Sequence, residues 1–119
     1  MEWKLDDGRP IWQQLSEQLT LLIASGEYPP GSRLPSVREL ATDAGVNPNT
    51  MQRALAQLET DGLASSNRTA GRMVTDNAEI IETTRKKLAQ RHVEEYLAAM
   101  SRLGFDSAAA AALLKEVKE

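Results

Sequence analysis

Residues 34–58, LPSVRELATDAGVNPNTMQRALAQL, decide the fold of this chain, because they carry the start and stop signals of two short helices. Ser36 is followed three residues later by Glu39, a spacing typical of the capping box at a helix start. Gly45 suits the left-handed conformation that ends many helices, and Asn47 before a proline suits the start of the next one. We therefore predict two helices joined by a tight turn, which is a helix-turn-helix.

Each of these helices has an apolar face and a polar face. The first collects its apolar side chains on one side, namely Val37, Leu40, Ala41 and Ala44. The second has an apolar stripe of Met51, Ala54, Leu55 and Leu58. Its polar side chains point outward, and these are Asn49, Thr50, Gln52, Arg53 and Gln57. In a helix-turn-helix the outward face of the second helix is the one that enters the major groove of DNA.

Charge at first argues against a nucleic-acid partner, since 14 basic and 17 acidic residues give a net charge of −3. Local charge matters more for a binding face than the total. Residues 33–72 contain five arginines and four acidic residues, a net charge of +1. The sequence is therefore compatible with sequence-specific DNA binding, and it predicts weak non-specific affinity at moderate salt.

Composition also limits the compartment and the class of protein. The 119 residues contain no cysteine, which excludes disulfides and thiolate metal sites. No apolar run approaches the roughly 20 residues that cross a bilayer, and the first ten residues lack the features of a signal peptide. We expect a soluble, cytoplasmic protein with one domain, or a small domain with an appendage.

The flanking sequence extends the motif on both sides. After an extended or irregular lead, a helix is predicted from Pro10 to Gly26, with Trp3 and Trp12 packing over one end of its core. A proline-rich loop then leads into the motif. Behind the motif, residues 63–66 and 72–75 are predicted as two short strands, which form the β-hairpin wing expected after a helix-turn-helix.

The last 43 residues differ in character, because their seven basic and seven acidic residues balance and they contain no proline. One helix is predicted over residues 77–103, and a second, alanine-rich helix follows Phe105 and Asp106 and runs through Glu119. Two helices of this size cannot close a core of their own. We therefore predict a dimer interface in this tail, with the candidate residues Leu88, Val93, Tyr96, Leu97 and Met100.

Residues 10–63 resemble the winged-helix head of GntR-family bacterial transcription regulators, and the resemblance continues to about residue 74. It is carried in order by GEYPPGSRLPSVRELA, by the turn VNPNT and by RALAQLETDGL. The short two-helix tail is most similar to the YtrA-like subfamily, whereas larger subfamilies append ligand-binding or aminotransferase-like domains. The resemblance implies a mainly α fold with a small β-hairpin. Its winged helix-turn-helix head covers residues 1–76, with a motif core at 34–58 and a wing at 63–75, and residues 77–119 form a helical dimerisation tail.

The resemblance also implies which residues contact DNA. They lie before and in the first motif helix, at the start of the recognition helix and in the wing, and they are Ser36, Arg38, Asn47, Asn49, Thr50, Arg53, Arg68 and Gly71. The wing departs from the family pattern, because Thr69 replaces its first glycine and Met73 stands where an aromatic residue is common. This departure weakens the expectation for the wing more than the expectation for the helices.

Structural alternatives accompany several of these assignments. Ser36 and Asn47 are helix caps whether or not they lie near phosphates. Arg53 suits the O6 and N7 atoms of guanine and Asn49 those of adenine, but Arg53 could instead be solvated or bonded to Gln57. Arg68 could equally be a solvated residue of the turn.

The tail offers little sign of chemistry. His92 has no neighbouring cysteine or second histidine, so it is a surface or interface residue rather than a metal ligand. The run Arg85, Lys86, Lys87 is interpreted as a solvated face, with contact to backbone phosphate as the alternative. The chain also shows no nucleophile–base arrangement and no phosphate-binding glycine loop. We therefore expect no enzyme activity, no metal and no cofactor.

The sequence favours a homodimeric repressor whose partner is double-stranded operator DNA of two-fold symmetry. The alternative is a protein-interaction adaptor whose winged helix has lost its affinity for DNA, as the acidic total and the altered wing would allow. A small-molecule effector is possible, but the sequence has no polar pocket signature for one.

Overall fold

The computed structural model describes residues 2–117, so Met1, Lys118 and Glu119 lie outside the description. Within these residues the elements follow in the order α1 (Ile11–Ala24), α2 (Val37–Ala44), α3 (Pro48–Thr60), β1 (Ala64–Asn67), β2 (Gly71–Val74), α4 (Ala78–Arg102) and α5 (Ser107–Glu116). The two strands form an antiparallel hairpin directly after α3. The predicted fold class, mainly α with a winged helix-turn-helix head, is confirmed.

The caps predicted for α2 and α3 define the helix-turn-helix. The Ser36 hydroxyl accepts a hydrogen bond from the Glu39 amide at 3.1 Å and satisfies one free N–H group at the start of α2. Gly45 ends α2 in the left-handed conformation, with φ of 69°. The Asn47 side chain accepts from the Asn49 amide at 2.8 Å and opens α3. Local sequence therefore sets both the bounds and the turn of the motif.

An apolar core joins the first three helices to the hairpin. The inner faces of α1 and α3 contribute fully buried side chains, namely Leu15, Leu19, Ile23, Met51, Leu55 and Leu58. The other elements add Leu40 and Ala41 from α2, and Ala64 and Val74 from the hairpin. Burial of one such leucine or isoleucine contributes about 1.5–3 kcal/mol. The packing of α1 on α3 therefore holds the recognition helix in place.

An N-terminal strap, residues 3–9, which bends at residues 7–9, is held against α1 by two glutamine side chains. The Gln18 amide accepts from the Lys4 N–H at 3.0 Å and donates to the Lys4 carbonyl at 2.8 Å. The buried Gln14 amide pairs in the same way with Asp6, at 2.9 and 2.8 Å, and donates to a further carbonyl at 2.8 Å. These amides take the place of the neighbouring strand that an extended segment would otherwise pair with.

Trp3 attaches the N-terminal strap to the helix-turn-helix. Its indole Nε1 donates to the Asp43 carboxylate on α2 at 2.8 Å, and its ring packs against the core together with Leu5. Tyr28 also packs against the core, and burial raises the pKa of its phenol, with smaller contributions from the charges of Asp43 and Glu27. The strap thus connects α1 with α2, a link that the sequence analysis left as an irregular lead.

The wing extends beyond its two strands. Ala64 pairs with Val74 at the base of the hairpin. The Leu34 N–H donates to the Arg72 carbonyl at 2.9 Å, and the Val74 N–H donates to the Ser32 carbonyl at 2.8 Å. The segment that leads into α2 therefore pairs with β2 as an additional short edge. This pairing ties the wing to the start of the helix-turn-helix.

The predicted bounds of the wing strands and of the last helix differ from the structure, and those of α1 and α4 differ by one or two residues at their ends. The wing strands lie one residue later in β1 and one residue earlier in β2 than the predicted 63–66 and 72–75. The last helix was expected to run through Glu119, but α5 ends at Glu116, because Val117 is already extended with ψ of 124°. Lys118 and Glu119 lie outside the described residues.

The chain divides into two compact units after Arg85. The first unit reaches further along the chain than the predicted limit of the head at Asp76, because Ile80 and Ile81 pack against its core. In the second unit, α5 starts at a side-chain cap, where Asp106 accepts from a backbone amide at 2.8 Å.

Candidate nucleic-acid interface

The outward face of α3 is polar and exposed, as predicted. Asn49 and Arg53 lie one helical turn apart on this face, and both are exposed, while Thr50 is half-buried. Gln52 is exposed as well, and it lies three residues after Asn49 on the same side of the helix. Gln52 faces outward as its position in the helix predicts, although the family resemblance does not include it among the DNA contacts. Its spacing from Asn49 was the signal that could have added it.

Arg53 has a contact that the sequence did not predict. The carbon at the centre of its guanidinium lies over the ring of Trp12, 4.2 Å from the ring centroid. Within residues 2–117, Arg53 makes no hydrogen bond or ion pair. The alternative bond to Gln57 does not form, because Gln57 donates to Asp61 instead, at 3.0 Å.

The predicted cap residues and Arg38 lie at the exposed ends and faces of the motif. Ser36 and Asn47 are both exposed, and each already accepts a backbone amide as a helix cap. Arg38 is exposed on α2, where it lines an open depression with Glu39, Thr42 and Asp43.

The wing turn presents Arg68 to solvent. The Asn67 side chain organises this turn, because its Oδ1 accepts from the amides of Thr69 and Ala70 and from the Thr69 hydroxyl, at 2.9 to 3.2 Å. Gly71 closes the turn with φ of 80°. Arg68 itself is exposed, so the turn carries a cation at its tip.

Two further arginines behave differently from each other. Arg72 donates from Nε to Glu59 of α3 at 3.1 Å, and Glu59 also receives the Ser66 hydroxyl, so one carboxylate holds both wing strands. Arg33 lies beside the wing turn, since a Cβ added at Gly71 would be 3.6 Å from its Nε. From the sequence, Arg33 contributes only to the net charge of residues 33–72, because nothing in its position along the chain places it beside the wing.

The second unit exposes apolar side chains. Among residues 78–116, α4 contains no buried residue and α5 buries only Ala110. Val93, one of the predicted interface residues, is 55% exposed, and Leu88, Leu97 and Met100 are half-buried. Tyr96 is engaged inside the unit, because its hydroxyl donates to the Ala110 carbonyl at 2.7 Å.

Neither a metal site nor a single membrane-spanning helix is present in residues 2–117. No group of histidine, aspartate and glutamate side chains there could hold a metal ion. No single helix there is long and apolar enough to cross a membrane, and α4 and α5 reach that length and composition only as a bent pair.

A capped two-helix motif, a buried scaffold helix and a hairpin with a cation at its tip together define a winged helix-turn-helix DNA-binding protein. Residues 12–74, more than half of the chain, match the family described as bacterial regulatory proteins, gntR family. The chain belongs to the GntR family of transcriptional regulators. Members of this family bind DNA and are not enzymes. The predictions that this chain is a DNA-binding regulator and that it is not an enzyme are therefore confirmed.

Relatives cover the tail as well as the head. The chain is 34% identical to the HTH-type transcriptional regulator YhcF of Bacillus subtilis, over 87% of this chain and 86% of YhcF. It is 42% identical to the HTH-type transcriptional repressor YtrA of the same organism, over 58% of this chain but only 53% of YtrA. A GntR family transcriptional regulator from Listeria monocytogenes matches in structure with a TM-score of 0.86 and 36% identity, over 96% of this chain and all of that one. The predicted resemblance to YtrA-like regulators is confirmed.

Proposed function

We propose that this chain is a homodimeric repressor that binds an operator of two-fold symmetry in the cytoplasm. The observation that carries the proposal is the exposed polar face of α3, where Asn49, Gln52 and Arg53 project outward, in a motif that is followed by the wing. A relative named as a repressor, YtrA, supports the direction of the regulation.

The residues of the head take different parts in this proposal. Arg53 reads guanine through bidentate bonds, and Asn49 reads adenine in the same way. Thr50 contacts the groove beside them. Arg38 and Arg68 are exposed cations that bind the phosphate backbone and set the register of the head on the duplex.

The caps and the wing glycine complete the proposed contact surface. Ser36 and Asn47 stand at the exposed starts of α2 and α3, where free backbone N–H groups favour a phosphate. Gly71 has no side chain, so the wing backbone can approach the duplex closely.

The tail supplies the proposed dimer. Within the described residues no side chain of α4 is fully buried, Val93 is 55% exposed and Leu88, Leu97 and Met100 are only half-buried, and a second copy would cover them. The proposed interface consists of Leu88, Val93, Tyr96, Leu97 and Met100, with residues 77–119 as the dimerisation tail and residues 1–76 as the DNA-binding head. Two recognition helices joined in this way read half-sites about 34–36 Å apart, or a multiple of that distance.

Selection from randomised duplex DNA by the purified protein tests the DNA-binding proposal. We expect a two-fold symmetric consensus, with an affinity that falls steeply as salt rises, because bound arginines release counterions. Arg53→Ala should weaken the selected complex by roughly 1–3 kcal/mol and relax the sequence preference. Arg102→Ala, an exposed arginine of the tail, is the matched control. A folded protein that selects no consensus would favour the adaptor interpretation.

Light scattering tests the dimer separately. Leu97→Asp places a charge in the proposed interface, and we expect it to yield monomers at a protein concentration where the unaltered chain is dimeric. Ala98→Asp adds the same charge at an exposed position of the same helix, outside the face that carries Val93, Leu97 and Met100, and serves as the control. If Leu97→Asp remains a dimer with unchanged helicity, the interface lies elsewhere.

A further inference from the structure

We infer that Trp12 is a positioning residue for DNA recognition, because its ring holds the guanidinium of Arg53, which lies on the outward face of α3. The two residues are 41 positions apart and come from different helices, yet the guanidinium carbon lies 4.2 Å from the centroid of the indole ring. The inference rests on the proposed function, since it assigns a role to Trp12 in that same contact with DNA.

The ring offers the cation a contact that leaves its hydrogen-bonding groups unused. A guanidinium over an aromatic face is attracted by the π electrons, and its five N–H donors do not need an acceptor for this attraction. None of these donors is engaged by another residue among 2–117. Arg53 can therefore stay on the ring and still bind a base edge or a phosphate with its donors.

Arg72 shows what an ion pair with a carboxylate, the alternative to a contact with an aromatic ring, does to an arginine. Its Nε donates to the Glu59 carboxylate at 3.1 Å, so a donor is occupied and the positive charge is neutralised. An acidic residue in the place of Trp12 would hold Arg53 equally well but would compete with DNA for it. An aromatic residue holds the side chain without that competition.

The ring is a firm support because its helix is anchored. Trp12 lies in the first turn of α1, and the residues that follow on the inner face, Leu15 and Leu19, are fully buried in the core. Trp12 itself is half-buried, with the Arg53 guanidinium over one face of its ring. A side chain restricted before the duplex arrives loses less freedom on binding. The contact should therefore increase affinity for the operator.

A double-mutant cycle tests the inference, with the duplex recovered by selection and a duplex of the same length with scrambled half-sites as probes. Trp12→Leu removes the ring, and we expect about two- to five-fold weaker binding to the selected duplex, the range of one exposed cation–π contact. Binding to the scrambled duplex should change less. Trp12→Tyr keeps an aromatic face and should restore most of the affinity.

The same cycle contains the decisive comparison. In an Arg53→Ala background, Trp12→Leu should have no further effect on binding to the selected duplex, because the side chain that it positions is gone. Trp3→Leu, which removes an indole elsewhere in the head, should add its full effect to Arg53→Ala. Equal effects of Trp12→Leu in both backgrounds would overturn the inference, as would a folded Trp12→Tyr variant that binds as poorly as Trp12→Leu.

A measurement without DNA separates this inference from the proposed function. In the free protein the ring current of Trp12 should shift the δ-methylene protons of Arg53 upfield, and Trp12→Leu should abolish that shift. If the shift is absent, the inference fails even though the protein binds its operator. If the shift is present but the protein binds no selected duplex, the proposed function fails, and Trp12 has only a packing role.

Discussion

The N-terminal strap depends on Gln14, and substitution of this residue by methionine should destabilise the head by about 2 kcal/mol. Gln14 is 2% exposed and makes three hydrogen bonds, two to Asp6 and one to the Arg9 carbonyl, at 2.8–2.9 Å. At about 1 kcal/mol for each bond, their loss amounts to about 3 kcal/mol. Asp6 and Arg9 are exposed residues, so water can replace part of these hydrogen bonds and should recover about 1 kcal/mol of the loss. Methionine keeps the length of the side chain, so little packing is lost.

Urea unfolding at one protein concentration, followed by circular dichroism, measures the effect, since a dimer would make stability depend on concentration. Gln18→Met removes two hydrogen bonds that are more exposed than those of Gln14. It should therefore destabilise the head by about 1 kcal/mol. Gln13→Met is the control, because Gln13 makes no hydrogen bond within residues 2–117 through its side chain. The reasoning fails if Gln14→Met is no more destabilising than Gln13→Met, or if Gln18→Met exceeds it.

Three further predictions concern the wing, the motif turn and pH. Glu59→Gln should lower the free energy of unfolding by about 1 kcal/mol and speed amide exchange in the hairpin, because its carboxylate holds Arg72 and the first strand; unchanged exchange would show that the wing stands without it. Gly45→Ala should destabilise by about 1–2 kcal/mol through the backbone alone, since φ is 69° and no atom lies within 4 Å of the added Cβ. Gly45→Asn should be milder, and equal effects would argue against this cause. The fold raises the pKa of Tyr28, so its contribution to stability is complete below the unfolded pKa of about 10 and is lost as pH rises through the folded pKa. Tyr28→Phe should therefore flatten the loss of stability in alkali, measured by urea unfolding, and parallel pH profiles would contradict this.

The helices were predictable because their signals are local. The Ser36 cap, Gly45 and the Asn47 cap each act within four residues of the chain, and the structure has all three, although among residues 2–117 the Glu39 side chain does not return the bond to the Ser36 amide that a full capping box would add. The apolar stripe predicted for α3 likewise gave its buried face. The wing was predicted from its place after the motif more than from its residues, and its strands were each displaced by one residue.

Contacts between distant segments were beyond the sequence. Arg53 could be assigned to the outward face of α3, but no local pattern indicates that a ring 41 residues earlier lies under it. Gln14 and Gln18 are ordinary polar residues in the helix pattern, and their role appears only when an extended segment passes beside them. Arg33 is similar, because its position beside Gly71 depends on the pairing of the preceding loop with β2.

The place of the core in the chain has a consequence for synthesis of the protein. No described residue after Ile81 belongs to the core cluster, and the compact head ends at Arg85. At about 5–20 residues per second, a ribosome takes roughly 2–7 seconds to add the 34 residues that follow Arg85 in this sequence, whereas small helical domains fold in microseconds to milliseconds. The head can therefore fold as soon as it leaves the ribosome, while the tail helices with their exposed apolar side chains follow it. Pairing of two chains through the tail would then join heads that are already folded.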